Sequence, residues 1–287
     1  MNHVLTLPVG CWIDGAHWRE AQLRELTGED QIHLAEECRG LLPAQWVTEA
    51  LTRCVTRLGP DRPTRDMIRS LSLGDREALL LQLRRLTSGD RLPSITTCPS
   101  PDCREKLDLE LSVESLLIPP YADVHEQYEH RVSTADGHSI LVRFRLATGS
   151  DQEVSAALAR SDTSAAVDFL VRRCVQSAVS SDDRSMQEFP AGFVDQLSAA
   201  MAERDVQAEI TLQINCTGCG GTFNLIFDTA AYLMQELAAE IRGLDHEVHL
   251  LAYHYHWSST EILGLTMRKR RRFLQLLEDE LQREMIQ

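Results

Sequence analysis

Two short loops carry thiols in pairs, CPSPDC at 98 to 103 and CTGC at 216 to 219. A thiolate is a soft ligand, and two loops that each present two of them supply the four tetrahedral donors of a Zn2+ site. The second loop has C-x2-C spacing, and the first, C-x4-C, lies at the long end of the usual range. Two other readings stay open: unmetallated thiols in two turns, and a redox pair at Cys216 and Cys219. The redox reading is the weaker, because CTGC does not open a helix after a strand as thioredoxin-like pairs do. If Cys98, Cys103, Cys216 and Cys219 share one zinc, the four sulfurs leave no position for water and the ion is structural.

Such a site needs rigid elements on either side of each loop. An alternating apolar run begins four residues after Cys103 (Leu107, Leu109, Leu111), and another begins four residues after Cys219 (Phe223, Leu225, Phe227). A third, Ile210, Leu212 and Ile214, leads into the second loop. Period two marks half-buried strands. Knuckle, strand, knuckle, strand is the order of a zinc ribbon, here split by a long insertion. Closing a loop of that size costs about 5 kcal/mol, against about 10 to 16 kcal/mol of apparent binding free energy for a structural zinc. The metal can therefore hold distant halves together.

The rest of the chain reads as mainly helical. TGEDQIHLAEECRG opens on a capping box of Thr27 and Asp30 and stops at Gly40, while GDREALLLQLRRLTSGD runs from an Asp75 cap to Gly89. Two helical hairpins are thus expected before the first knuckle. Cys38, Cys54 and Cys174 recur with Leu34, with Leu51 and Leu58, and with Leu170 and Ala178 at helical spacing, which predicts buried inert thiols. Cys11 is isolated in PVGCWIDG and has no assigned role. Between the knuckles, YEHRVSTADGHSILVRF reads as a β-hairpin turning at Asp136-Gly137. DQEVSAALA, AAVDFLVRRCVQSAV and AGFVDQLSAAMAE read as helices, and residues 178 to 189 as a solvated loop. No repeat longer than the echo of the two knuckles is evident. The expected fold class is α+β, mostly helical, built around a split four-cysteine zinc ribbon with a helical insertion. Its expected segments are a helical region 1–97, ribbon halves 98–120 and 208–228, an inserted hairpin and helices 121–207, and a helical region 229–287.

Charge and hydropathy narrow the function. The 287 residues carry 29 basic and 43 acidic side chains, a formal charge of −14, which argues against a general nucleic-acid surface. MNHVLTLPVG lacks a charged start followed by an apolar core, and no aliphatic run is long enough to span a bilayer, so the chain is expected to be soluble and cytosolic with no membrane partner. In that reducing compartment eight cysteines read as buried thiols or ligands rather than crosslinks.

The last stretch, HEVHLLAYHYHWSSTEILGLTMRKRRRFLQLLEDELQ, contains a helix start with Ser258 as N-cap, Glu261 three residues on, and Trp257 placed to staple onto Ile262. Gly264 closes that helix, and a second begins near Thr266 with Phe273, Leu277 and Leu281 on one stripe. Its charges run against the helix dipole, because Arg268, Lys269, Arg270, Arg271 and Arg272 crowd the N-terminal end and Glu278, Asp279, Glu280 and Glu284 the other. Such a run is a solvated or internally paired face, or a dock for an acidic partner or nucleic acid. His246, His249, His254 and His256 raise a zinc hydrolase, yet HEVH lacks the i, i+4 spacing by which two helical histidines share a metal. Packing histidines are the safer reading. No G-x-S-x-G, P-loop or G-x-G-x-x-G occurs.

GAHWREAQLRELTGED, LSLGDREALLLQLRRLTSGD leading into CPSPDC, VRFRLATGSDQE, CTGC and EVHLLAYHYHWSSTEILGLTMRKRRRFLQLLEDEL, taken in order, resemble the baseplate-associated proteins of contractile phage tails. They are similar to the T-even phage baseplate-hub assembly family and its counterparts in extracellular contractile injection systems. The resemblance implies a non-enzymatic role in building the baseplate and hub of a tail-like particle made in the bacterial cytoplasm, with baseplate, hub, spike or tape-measure proteins as partners. It also implies zinc at Cys98, Cys103, Cys216 and Cys219, and a packing or docking role for the YHYHWS helix start. The longer CPSPDC departs from an expected C-P-x-C. The alternatives are a zinc-ribbon regulator that sets Arg268 to Arg272 on nucleic acid, and a metalloenzyme with a second metal near His249 to His256.

Overall fold

The computed structural model describes residues 3–134, 138–180, 186 and 188–285. The chain begins with a long hairpin, β1 (His3–Ile13) and β2 (Ala16–Leu23), and β2 also pairs with β3 (Val55–Leu58) in an antiparallel sheet of order β1-β2-β3. Between β2 and β3 lie α1 (Gly28–Ile32), extended by a wider turn at His33–Glu37, and α2 (Pro43–Cys54). Then come α3 (Arg65–Ser70), α4 (Leu73–Ser88), the hairpin β4 (Arg91–Thr97) and β5 (Lys106–Ser112), and the short α5 (Val113–Leu116).

A second series follows. Strands β6 (Tyr128–Ser133), β7 (Ser139–Phe144) and β8 (Val175–Ser180) form another antiparallel sheet of order β6-β7-β8, with α6 (Gly149–Ala159) and α7 (Thr163–Cys174) between β7 and β8. Helix α8 (Phe193–Arg204) leads to the hairpin β9 (Ile210–Asn215) and β10 (Thr222–Phe227), and the long α9 (Thr229–Tyr255), α10 (Ser259–Leu263) and α11 (Met267–Met285) close the chain.

This overturns the expectation of a mostly helical fold built around a split zinc ribbon. About 50% of the chain is helix and 26% strand, the latter in four small antiparallel sheets, and the two knuckle hairpins are separate two-stranded sheets rather than one ribbon. The misread segments have definite causes. In β1 the pairing register shifts between Thr6 and Cys11, so Leu7 to Cys11 form a continuous buried run that shows no period of two. Strands β3 and β8 each follow a helix with no turn residue between, so the helical stripes through Cys54 and Cys174 seemed to continue into what are strands. Strand β4 hides behind Pro93 and three Ser or Thr residues. The expected turn at Asp136-Gly137 lies outside the described residues, though β6 and β7 pair as expected, Tyr128 against Phe144 and Ser133 against Ser139.

Local start signals hold better. Thr27 and Asp30 make the capping box of α1, Ser258 and Glu261 that of α10, and Gly89 ends α4. Helix α4 is capped by Ser72, not Asp75, whose carboxylate instead accepts the Val9 and Gly10 N–H groups at 2.8 Å. The strand irregularity in β1 and the first turn of α4 therefore satisfy one another. Burial pushes Asp75 up to about 8 against these donors.

Two main cores result. One gathers Leu7, Leu23, Trp46, Leu51, Cys54, Leu58, Leu79 and Leu83 with Leu233 and Leu237 of α9. The other gathers Val132, Val142, Phe144, Val171, Cys174, Phe193 and Leu197 with Val9 from β1. A third, smaller cluster of Leu81, Leu92, Val113, Leu116, Ile210 and Phe227 lies where the two knuckle hairpins meet their helices. No helix among the described residues is long and apolar enough to cross a membrane.

Candidate metal centre

Each knuckle is the tip of an antiparallel hairpin. Thr97 pairs with Lys106 below the first, and Asn215 with Thr222 below the second. The loops fold alike despite their different lengths. The Cys98 N–H donates to the Glu105 carbonyl at 2.9 Å and the Cys216 N–H to the Gly221 carbonyl at 2.8 Å. The residue after each second cysteine takes a left-handed conformation, Arg104 with φ 53° and Gly220 with φ 73°. The two extra residues of CPSPDC are absorbed in the turn, where the Cys103 and Arg104 N–H groups both reach the Ser100 carbonyl.

The four Sγ atoms lie within 4.8 Å of one another. Cys98 is 3.8 Å from Cys219, and Cys103 is 3.6 Å from Cys216. A tetrahedron with metal–sulfur bonds of about 2.3 Å has edges of about 3.8 Å, so these spacings fit four thiolates around one ion. The electrostatics without a metal favour one thiolate, at Cys216. The Cys219 and Gly218 N–H groups, with help from the neighbouring thiols, hold Cys216 down to about 7 against burial, whereas Cys98 and Cys103 are pushed up, Cys103 to about 12, because burial and the bonds to Cys216 and Cys219 outweigh the N–H groups of Ser100 and Glu105. Donors aimed at sulfur favour the thiolate, which is the form that binds metal. Cys98 and Cys216 are buried, Cys103 is half-buried, and Cys219 is exposed, over an apolar floor of Leu107, Leu109, Ile214 and Phe223. At Gly218 a Cβ would come within 3.2 Å of the Cys103 sulfur, so the smallest residue lets the second knuckle approach the first.

The other candidates part company. Among the described residues the histidines join no group able to hold a metal. His246, His249 and His254 lie on α9, His249 stacking on Tyr253, and His256 is its left-handed C-cap. Trp257 stacks on Tyr255 and meets the edge of Phe273, centroids 5.0 and 4.9 Å apart. The basic run is divided by the period of α11. Arg270 is buried, with Nε on Glu247 at 2.8 Å, Nη1 on the Leu265 carbonyl at 2.9 Å and Nη2 on Gln31 at 2.5 Å. Arg268 pairs with Glu25 and Arg271 with Glu240, while Lys269 and Arg272 lie exposed. Acidic groups of the same chain thus hold the N-terminal end of α11 against its own dipole.

Two further clusters escaped the sequence reading. The Asp30 carboxylate, 1% exposed, accepts from Arg24, from Arg53 Nε at 2.7 Å and from the Thr27 N–H at 2.9 Å. The Asp151 carboxylate, also 1% exposed, accepts from Arg145, from Arg173 Nε at 3.0 Å and from the Thr148 N–H at 3.0 Å. These partners hold both aspartates down to about 2 despite burial. Beside them Cys54 and Cys174 are fully buried and pushed up to about 12, which makes them the inert thiols expected. The available signal was the recurrence of R-x-x-T-G-x-D-Q at Arg24–Gln31 and Arg145–Gln152.

A family model described as T4 bacteriophage base plate protein matches residues 17–231, about three quarters of the chain. Comparison with curated proteins returns no match, and comparison with solved structures returns none. The family match runs from β2 through both knuckles into the first turn of α9 and leaves α10 and α11 outside. On a match of that extent, the chain belongs to the family of T4-type phage baseplate proteins.

Proposed function

We propose that the protein is a non-enzymatic structural or assembly component of the baseplate and hub of a contractile tail-like injection system, in which Cys98, Cys103, Cys216 and Cys219 hold a structural Zn2+. The observation that supports the metal is the convergence of four sulfurs, all within 4.8 Å of one another, from two hairpins far apart in the chain. Four thiolates in this geometry suit zinc, and with every position filled the ion would stabilise rather than react. Its work would be to pin the two hairpins and so give other baseplate, hub, spike or tape-measure subunits a rigid surface. The chain would be made in the producer cell's cytoplasm and join the particle there.

Partner docking would fall to the C-terminal helices, through the Trp257 helix start and the exposed cations Lys269 and Arg272. Arg268 and Arg271 are engaged with Glu25 and Glu240, and Arg270 is buried, so the run offers nucleic acid no continuous basic face. That observation disfavours the regulator reading. The metal is tested by elemental analysis of protein purified under reducing conditions: one zinc per chain is expected, lost from a Cys216→Ser/Cys219→Ser variant. A metal-free wild-type chain whose four thiols all react freely with an alkylating reagent would overturn it. The role is tested by co-expression with neighbouring tail genes, where a chain that associates with no baseplate or hub subunit would count against it.

A further inference from the structure

The two series of elements run in the same order, and the correspondence extends to individual atoms. In each, a hairpin is followed by an R-x-x-T-G-x-D box, by helices ending in Arg-Cys-Val, and by a third strand that pairs back on the hairpin. The Arg24 N–H donates to the Cys54 carbonyl at 3.0 Å, and the Arg145 N–H to the Cys174 carbonyl at 3.0 Å. Arg53 and Arg173 complete the two aspartate clusters from equivalent places. A helix then leads to the knuckle, α4 in the first series, where the short α3 precedes it without a counterpart among the described residues, and α8 in the second; next come a knuckle hairpin with the same cross-strand bond and the same left-handed residue, and a capped helix start at Ser112 or Asp228. In the shared third core Leu92 of β4 and Ile210 of β9 occupy matching positions. A nearly constant sequence offset relates all of these pairs.

Each box also receives a helix start in the same way. Gly149 donates to the Leu71 carbonyl at 3.1 Å, Thr148 bridges to Ser72, and the Arg76 guanidinium fills the space above Gly149, where a Cβ would stand 2.4 Å from Nη1. Gly28 donates to the Leu265 carbonyl at 3.1 Å, Thr27 bridges to Thr266, and Arg270 stands over Gly28, where a Cβ would lie 3.0 Å from its Nη1. The pattern Leu-Ser/Thr-Leu/Met-x-x-Arg is common to both starts, at Leu71–Arg76 and Leu265–Arg270. The start that occupies the second box comes from the first series, and the one that occupies the first box comes from the tail behind the second series. A helix start from the first series on the second box, with one knuckle from each side, is the arrangement of an interface between two copies of one unit, and the tail supplies the like start to the first box.

We infer that residues 3–116 and 128–232 are two copies of one unit, that the four-cysteine centre and the dock of Leu71–Arg76 on the second box form the interface between them, and that Leu265–Arg270 of the tail fills the like dock on the first box. The chain is a covalently joined dimer, and the partner that these surfaces recognise is a second copy of the unit, already present. It follows that the protein completes both docks and the centre as a monomer. It follows also that the two knuckles are interchangeable although their loops differ in length.

The test is a transplant in the full chain. Replacing the Cys98–Arg104 loop by the sequence of Cys216–Gly220 should leave the thermal midpoint and the metal content as in wild type. Collapse of the fold, or loss of a metal that the wild type holds, would overturn the duplication. A second arm does not depend on the zinc reading. Gly28→Val should raise the rate of limited proteolysis within residues 256–267 at least ten-fold, and Gly149→Val should do the same within residues 59–72. If either variant leaves its helix start as protected as in wild type, the inference fails. A wild type without metal would sink the zinc proposal alone, and the proteolysis arm would still decide the duplication.

Discussion

The two boxes have the same backbone and different electrostatics. Over Gly28, Arg270 meets a carboxylate, Glu247 at 2.8 Å, and the amide of Gln31, so its charge is paired. Over Gly149, Arg76 has only the Ile68 and Ala44 carbonyls and the Thr48 hydroxyl, its Nε has no partner, and burial lowers it to about 10. One geometry can thus be held by a paired charge or by a cation bonded to neutral oxygens alone. The difference follows the source of the helix start. Leu71–Arg76 continues directly from its own unit and is held by chain connectivity, whereas Leu265–Arg270 arrives after the 27-residue α9 and α10, and the start of α11 has Glu25, Glu240 and Glu247 to fasten it.

The comparison can be broken at several levels. The largest effect is expected at the centre that joins the two units. Cys98→Ser/Cys103→Ser and Cys216→Ser/Cys219→Ser should each abolish metal binding and cost several kcal/mol, a fraction of the apparent zinc term of about 10 kcal/mol or more, read as equal drops in urea midpoint. Unequal drops would mean that one knuckle does not depend on the other.

Next come the two arginines. Arg270→Met should cost about 3 kcal/mol, because Glu247 and Gln31 lose their partner in a partly buried place. Arg76→Met should cost about 1 kcal/mol or less, since a buried cation that no carboxylate contacts directly, with Glu153 acting on it only across Thr48, is replaced by an apolar chain of similar length. Denaturant titrations of the two variants under the same conditions measure the contrast directly.

The aspartates test where the boxes agree. Asp30→Ala and Asp151→Ala should each cost about 2 kcal/mol, below the value for a dry ion pair because the arginines they bind are about one third exposed. Their pH dependence has a fixed sign. Both carboxyls titrate at about 2 in the folded chain, below the ordinary 3.8, so the stability they confer is complete above pH 4 and is lost as pH falls from about 4 to about 2. Midpoints measured between pH 5 and pH 2.5 should fall less steeply in either variant than in wild type. Asp75 has no buried counterpart, since Asp195 at the matching place in α8 is exposed. Its carboxyl, raised to about 8, acts with the opposite sign, and its contribution declines as pH rises from about 4 to about 8.

The smallest effect on stability belongs to the exposed cations. Lys269→Ala and Arg272→Ala should change the midpoint by about 0.5 kcal/mol or less. If the C-terminal helices dock a baseplate partner, the same variants should weaken co-purification. A large loss of stability would show that these side chains serve the fold instead.

The sequence by itself specified whatever depends on a few neighbouring residues. Ser258 with Glu261 and Thr27 with Asp30 make caps because a side-chain oxygen three residues from a free N–H needs no distant help. The paired cysteines could be read as candidate ligands because two tight turns that each present two thiols can supply four tetrahedral donors. What the tertiary structure decided was how the strands are used. Strands β3 and β8 have helix-like patterns and become strands only because β2 and β7 offer them open edges, and β1 tolerates its irregularity only because Asp75 waits beneath it. The doubling of the fold was hidden for a related reason. Outside the R-x-x-T-G-x-D-Q box few matching positions keep the same side chain, and what recurs there is backbone geometry, which many sequences satisfy.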